Sequence, residues 1–351
     1  MLKRGGKPKE PSTSDSAFWP DTKRLLKAGA VTPFVSNFVS YDIFGGDVAI
    51  VAQTWAQDVK SPFPAESNRD LARVAQFYSV KINNYEAKRH YLNSLKSYLF
   101  GLAGDDPAVD PELLAELQEN YEERTFSDIA RQLGYPKFKD EQQNPLRLLA
   151  ELPLPIYLTT SYHDFLEVAL TKARKRPVME ILYWHNGLNR LRSIFDDQPN
   201  FKPTVDTPLV YHLYGLDKHP GSLVLTEDDY LDFLIEVSLM RADVQHAERL
   251  RGLPSSVRLA LAGTSLLMLG YGVYDWEFRA LFKGLVQANN DSRANQNKPK
   301  SILVQVQPDE GDSAARIKQY LTDYFGKSSF NVYWGSVNAC AQELWQLWQG
   351  T

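Results

Sequence analysis

Apolar residues change their period twice along this chain, and the changes divide it into three parts. The first part opens with "DTKRLLKAG", a short helix ending at Gly29. "AVTPFVS" follows, a β-branched run that reads as the first strand of a sheet, and then the helix "DVAIVAQTWAQ". From about Asn68 to Ala150 the apolar positions recur every three or four residues, as in "NRDLARVAQFYSV" and "YEAKRHYLNSLKSYLFGL". "DPELLAELQENY" adds a helix start, with Asp110 as N-cap and Pro111 at the first helical position. No strand signal interrupts this part.

Past Ala150 short apolar runs return: "LPIYLTT", "MEILYW", "LVYHLYG", "TSLLMLG", "SILVQVQ" and "FNVYW". They alternate with helical stretches, among them "HDFLEVALTKA", "TEDDYLDFLIEV", "PSSVRLALA", "DWEFRALFKGLV", "AARIKQYLTDYF" and "NACAQELWQLW". In "TEDD" Thr226 and Asp229 have the spacing of a capping box. Near-continuous apolar strands separated by helices indicate a mostly parallel sheet covered on both faces. The fold class expected is therefore α/β: a Rossmann-like, doubly wound sheet over residues 21–351, with a helical insertion at about 68–150. Residues 1–20, rich in Lys, Pro, Ser and Gly, read as a disordered leader.

Composition narrows the function classes. The 351 residues suffice for a large core, and no apolar run approaches the roughly 20 residues of a membrane span. With no apolar signal core at the N-terminus, a cytoplasmic location is expected and no membrane partner. A net charge of −4 gives no long-range attraction for nucleic acid, and the basic runs "MLKRGGKPKE" and "TKARKRP" read as solvated charge. The single cysteine, Cys340, excludes an intrachain disulfide and a four-cysteine zinc module. The six histidines lack the HxxxH or HxH spacing of a metal site, so no metal is expected.

A doubly wound sheet binds ligands beyond the carboxyl ends of its strands. The candidates there are Ser36, Asn37, Phe38 and Ser40 after the first strand, and Thr160, Ser161, His163 and Asp164 after the second. Further on come His212, Tyr214 and Gly215, then Gly270, Tyr271 and Asp275, and finally Ser336 and Asn338 in "WGSVN". Each also has a structural reading. Asp275 before "WEF" can be an N-cap, Ser161 can simply begin a helix, and His212 can be a buried hydrogen-bonded histidine sharing a strand face with Tyr214. Trp345 and Trp348, at helical spacing, fit the inner face of the last helix.

The order of these segments resembles the prokaryotic sirtuin-like family. The segments are "TPFVSNFVS", "TTSYHDFLE", "YHLYG", "LGYGVYDWEF" and "YWGSVN", where the family reads "TPF" with "GAG.S", "TTNYD", "LHG", "GYS..D..F" and a strand followed by "GS". The resemblance runs from about Lys27 to the C-terminus. It implies a Rossmann domain with a helical lobe that binds NAD and cleaves its nicotinamide glycosidic bond, an Asn orienting the nucleophile and a His acting as base. It also implies a setting in antiviral defence, where zinc-free relatives self-associate and act with a partner protein.

The departures fall on the working positions. Ser161 replaces the Asn of "TTNYD", His163 its Asp, and Tyr214 the His of "LHG". Ser36 and Phe38 stand where loop glycines admit the pyrophosphate, so an aromatic side chain of about 150–250 Å² is expected to obstruct the usual pose. Ser161 is too short to reach where Asn would, and a tyrosine of ordinary pKa near 10 is a poor base at neutral pH. The expectation is a module whose NAD chemistry is lost or crippled and which acts by binding a nucleotide-like ligand or by assembly. Two alternatives stay open: an active NAD glycohydrolase using His212 or His163 as base, with Asp164 and Ser161 positioning water, and a Rossmann-type sensor of another nucleotide.

Overall fold

Seven apolar runs supply the strands of one parallel sheet: β1 (Val31–Val35), β2 (Ile156–Thr159), β3 (Val178–Ile181), β4 (Leu209–His212), β5 (Ser265–Leu269), β6 (Ser301–Gln305) and β7 (Phe330–Trp334). The structure, a computed structural model, describes residues 19, 21–36, 39, 48–137, 144–242, 252–273, 276–287, 299–306 and 312–350. The strand order is β3-β4-β2-β1-β5-β6-β7, every pair parallel. The chain leaves β1 for β2 on one side and later returns to β5 on the other. This is the topological switch that opens a crevice beyond the carboxyl ends of the central strands.

Helices fill both faces. α1 (Thr22–Lys27) precedes β1, and α2 (Val48–Asp58), α3 (Leu71–Lys81), α4 (Asn84–Gly104), α5 (Pro111–Glu119), α6 (Phe126–Gln132) and α7 (Pro145–Glu151) lie between β1 and β2. α8 (Phe165–Lys172) follows β2, α9 (Ile194–Asp197) follows β3, and α10 (Glu227–Ala242) and α11 (Ser255–Gly263) join β4 to β5. α12 (Trp276–Leu281), running on into a π-helical turn, follows β5. α13 (Asp312–Gly326) and α14 (Val337–Gln349) flank β7.

Strand alternation sorts the core into two clusters, one on each face of the sheet. Tyr157, Val210, Leu267 and Ile302 join the α1, α4, α7, α8 and α14 side, while Phe34, Leu158, Tyr211, Met268 and Leu303 join the α10 to α13 side. A charged buried link crosses from the helical block to α10. Asp229 closes the capping box with Thr226, each donating a backbone N–H to the other's side chain, and also accepts from Lys88 at 3.0 Å and Asn84 at 2.8 Å.

The structure extends the expected helical part. α2 also lies between β1 and β2, because its buried Trp55 packs on Tyr91 and Tyr78 of the helices that follow. Trp19, expected within a disordered leader, is buried: its indole stacks near Tyr333 and donates to Glu343 of α14 at 2.9 Å. Residues 1–18 lie outside the described residues. Trp345 is half-buried and donates to Glu151, and Trp348 packs against the core, as their spacing implied.

Candidate functional site

Four adjacent strands, in the order β4, β2, β1, β5, bring four of the five predicted groups to one crevice. Ser336 and Asn338 follow β7 at the sheet edge, three strands from β1, so roughly 14 Å away at normal strand spacing. Ser336 caps α14 by accepting the Ala339 N–H, a structural task. Asn37, Phe38, Ser40 and Asp275 lie outside the described residues, and with them the expected obstruction by Phe38.

The crevice floor is tied together by its own hydrogen bonds. Ser36 is buried and donates its backbone N–H to Leu269 O at 2.9 Å, while Thr160 N–H reaches Val35 O at 3.0 Å. Thr159 Oγ1 donates to Val35 O and accepts from Ser161 N–H, both at 2.9 Å, which fixes the turn that follows β2. Across β1 the hydroxyls of Thr160 and Tyr271 lie 3.3 Å apart, and Gln305 donates to Tyr271 O. Gly270 has a positive φ of 78°, and a Cβ there would fall 2.6 Å from Val39 Cγ2. Packing of the chain on itself therefore requires this glycine.

His212 and Tyr214 do not share a face, contrary to the strand reading. β4 ends at His212 and the chain turns, so Tyr214 drops into the opposite cluster, edge-on to Tyr230 and Phe233. His212 is fully buried, with Nδ1 2.7 Å from Ser161 O and Nε2 2.7 Å from Glu167 Oε1 of α8. Burial works to lower its pKa, but the Glu167 charge and hydrogen bond, with the Ser161 O hydrogen bond and the Asp217 charge, outweigh that, and the net direction is upward. Both ring nitrogens are therefore engaged, and the raised pKa favours the protonated ring. Gly215, at φ 83°, has Ser222 O 2.2 Å from the place a Cβ would take.

His163 lies in the turn between β2 and α8, buried and stacked on Phe165 at 3.9 Å. Neither of its ring nitrogens has a hydrogen-bond partner among the described residues. Burial, and then the charge of His212, pushes its pKa down to about 3. Asp164 pairs with Arg131 of α6, and its backbone N–H meets Ser127 Oγ at 3.2 Å. Burial raises Asp164 to about 6 against the pull of Arg131, with Glu167 and Asp217 adding to the rise. Asp217, itself raised by burial, accepts the Ser127 N–H at 2.7 Å and donates its own N–H to Tyr162 O. The Tyr162 hydroxyl meets that of Tyr91 at 2.6 Å.

Glu167, Asp217, Ser127, Arg131 and Tyr91 were not singled out from the sequence. Glu167 alone carried a signal, as a carboxylate among the apolar inner-face positions Phe165, Leu166, Ala169 and Leu170 of α8. The other four come from parts of the chain distant in sequence.

A general base needs a lone pair within reach of the proton it removes. His212 has none to offer, His163 is buried, and Tyr214 is packed among aromatics. At the floor the Ser36 and Thr160 N–H groups are bonded to neighbouring strands. Among the described residues no group of three or more His, Cys, Asp or Glu is arranged to hold a metal ion. No described helix is long and apolar enough to cross a membrane.

Residues 155–325, from just before β2 to the end of α13 and just under half of the chain, match the family model of the SIR2-like domain, an NAD-related family. A comparison with curated proteins gives no match. The SIR2-like match and the parallel sheet agree on a Rossmann-like α/β fold.

Proposed function

We propose that this chain is a catalytically silent SIR2-like module of a prokaryotic, antiviral-defence type system. It acts in the cytoplasm by binding a nucleotide-like ligand or by assembly with itself and a partner protein, and does not cleave NAD. One observation carries the reading: His212, the histidine nearest in sequence to the position of the family's base, has both ring nitrogens occupied, by Ser161 O and Glu167. A ring with neither nitrogen free cannot take a proton from water. Tyr214, at the base position itself, is turned away into aromatic packing.

An assembly role draws support from α10, where Leu231 and Ile235, one turn apart, are both more than half exposed at 52% and 56%. Apolar residues stacked on one helix face are a common feature of partner surfaces.

The test is incubation of the full chain with NAD at high protein concentration, alone and with the proteins encoded beside it, following nicotinamide by chromatography. No nicotinamide is expected in either condition. Release of nicotinamide that depends on the crevice residues would overturn the reading and make this an NAD glycohydrolase. Calorimetry with NAD on the same sample separates a silent binding site from an assembly module.

A further inference from the structure

Two buried lysines project from α4, and among the described residues only Lys88 has a carboxylate in ion-pair contact. Lys88 is 2% exposed and sits 3.0 Å from Asp229. Lys96, two turns on and 5% exposed, has neutral partners: Asn93 Oδ1 at 3.1 Å and Tyr121 O at 3.0 Å. Those two bonds leave one of the three ammonium donors over. Burial lowers its pKa, with Asp217 and Glu122 opposing from beyond ion-pair distance. An ammonium withdrawn from water with no carboxylate in ion-pair contact is costly and needs a reason.

The reason lies in the cavity that Lys96 lines, about 180 Å³ between α4, the start of α6 and the loop after β4. Three further cations line it: Arg89 from α4, Arg124 from the segment before α6, and Lys218 from the loop. Three carboxylates share the lining, and each has a circumstance that limits its opposition. Asp217 is engaged by the Ser127 N–H, and burial raises its pKa. Glu122 lies beside the Tyr121 hydroxyl, and Glu123 stands at the exposed rim. Arg89 and Arg124 are tethered from outside by Glu86 and Glu116.

We infer that this cavity binds a small tetrahedral oxyanion, a phosphate or phosphate monoester, with Lys96 as its buried anchor. Cations arriving from three separate elements suit an anion with acceptor oxygens in several directions better than a planar carboxylate. The occupant would clamp the helical block to the loop after β4, whose Asp217 N–H holds Tyr162 O in the turn beside Ser161. This inference does not depend on whether the crevice is silent.

The experiment is calorimetric titration of the full chain with inorganic phosphate at fixed ionic strength, with methyl phosphate and acetate as comparators. It is repeated on Lys96→Met and on the exposed pair Arg89→Ser with Lys218→Ser. Phosphate is expected to bind the wild type, and each variant to bind at least about tenfold more weakly, the loss of a charge-assisted hydrogen bond. Methyl phosphate binding as tightly as phosphate would assign the site to phosphate esters, and weaker binding to the free ion. No binding to the wild type, acetate binding as tightly as phosphate, or unchanged affinity in the surface-pair variant would each overturn the inference. The pair variant keeps the test valid should Lys96→Met fail to fold.

Discussion

Replacing His163 by Phe tests the electrostatics of the turn, because it keeps the ring stacked on Phe165 and removes the only titration there that opposes acid. In the folded chain His163 titrates near 3, against an ordinary value of 6.5. The unfolded chain therefore binds a proton that the folded chain refuses throughout that window. Stability conferred by the neutral ring is complete above pH 6.5 and is lost as pH falls toward 3, by about 1.4 kcal/mol per pH unit. At pH 5 the accumulated loss is about 2 kcal/mol. Asp164 has the opposite sign: its folded value near 6 lies above the ordinary 3.8, so its penalty grows as pH rises from 3.8 through 6. The two slopes offset each other in the wild type between about pH 4 and 6, which hides both.

The difference between variant and wild type isolates His163. Urea unfolding at pH 7.5, 6 and 5 is expected to show His163→Phe gaining on the wild type by about 2 kcal/mol between the first and last conditions. A difference that stays constant across the three pH values would refute the reasoning and mean that the native ring accepts a proton.

Two other outcomes follow from the same cluster. Glu167→Gln removes the charge that contributes most to raising His212, so the imidazole should titrate lower than in the wild type, with Ser161 O and Asp217 still opposing burial; NMR titration of the ring nitrogens reads this directly, and an unchanged titration would dismiss the ion pair. The wild-type pair stabilises below the ordinary histidine value and is lost as pH rises through the raised one, so the variant should lack that alkaline loss. Gly215→Ala places a Cβ on the Ser222 carbonyl at a positive φ, and a destabilisation above roughly 2 kcal/mol is expected in urea unfolding; a smaller loss would show that the loop after β4 moves aside easily.

The sequence by itself determined the elements of this protein. Period-two and near-continuous apolar runs gave away every strand, helical spacing with Asp110–Pro111 and Thr226–Asp229 gave away helix starts, and the strand-helix alternation gave a parallel sheet. These signals are local, so a linear reading can find them. It also collected five strand ends as one site, of which the sheet order brings four side by side and leaves the fifth at the edge. Tertiary structure alone decided the state of each side chain in the crevice. His212 and Tyr214 were assigned one face because they are two residues apart, yet the strand ends between them and sends the rings to opposite sides of the sheet. Glu167 occupies the His212 ring from another element and raises its pKa, and Arg131, Ser127 and Asp217 reach Asp164 and Tyr162 from a helix and a loop distant in sequence. A side chain's charge and partners depend on burial and on neighbours within a few ångströms, and neither quantity is carried by spacing along the chain.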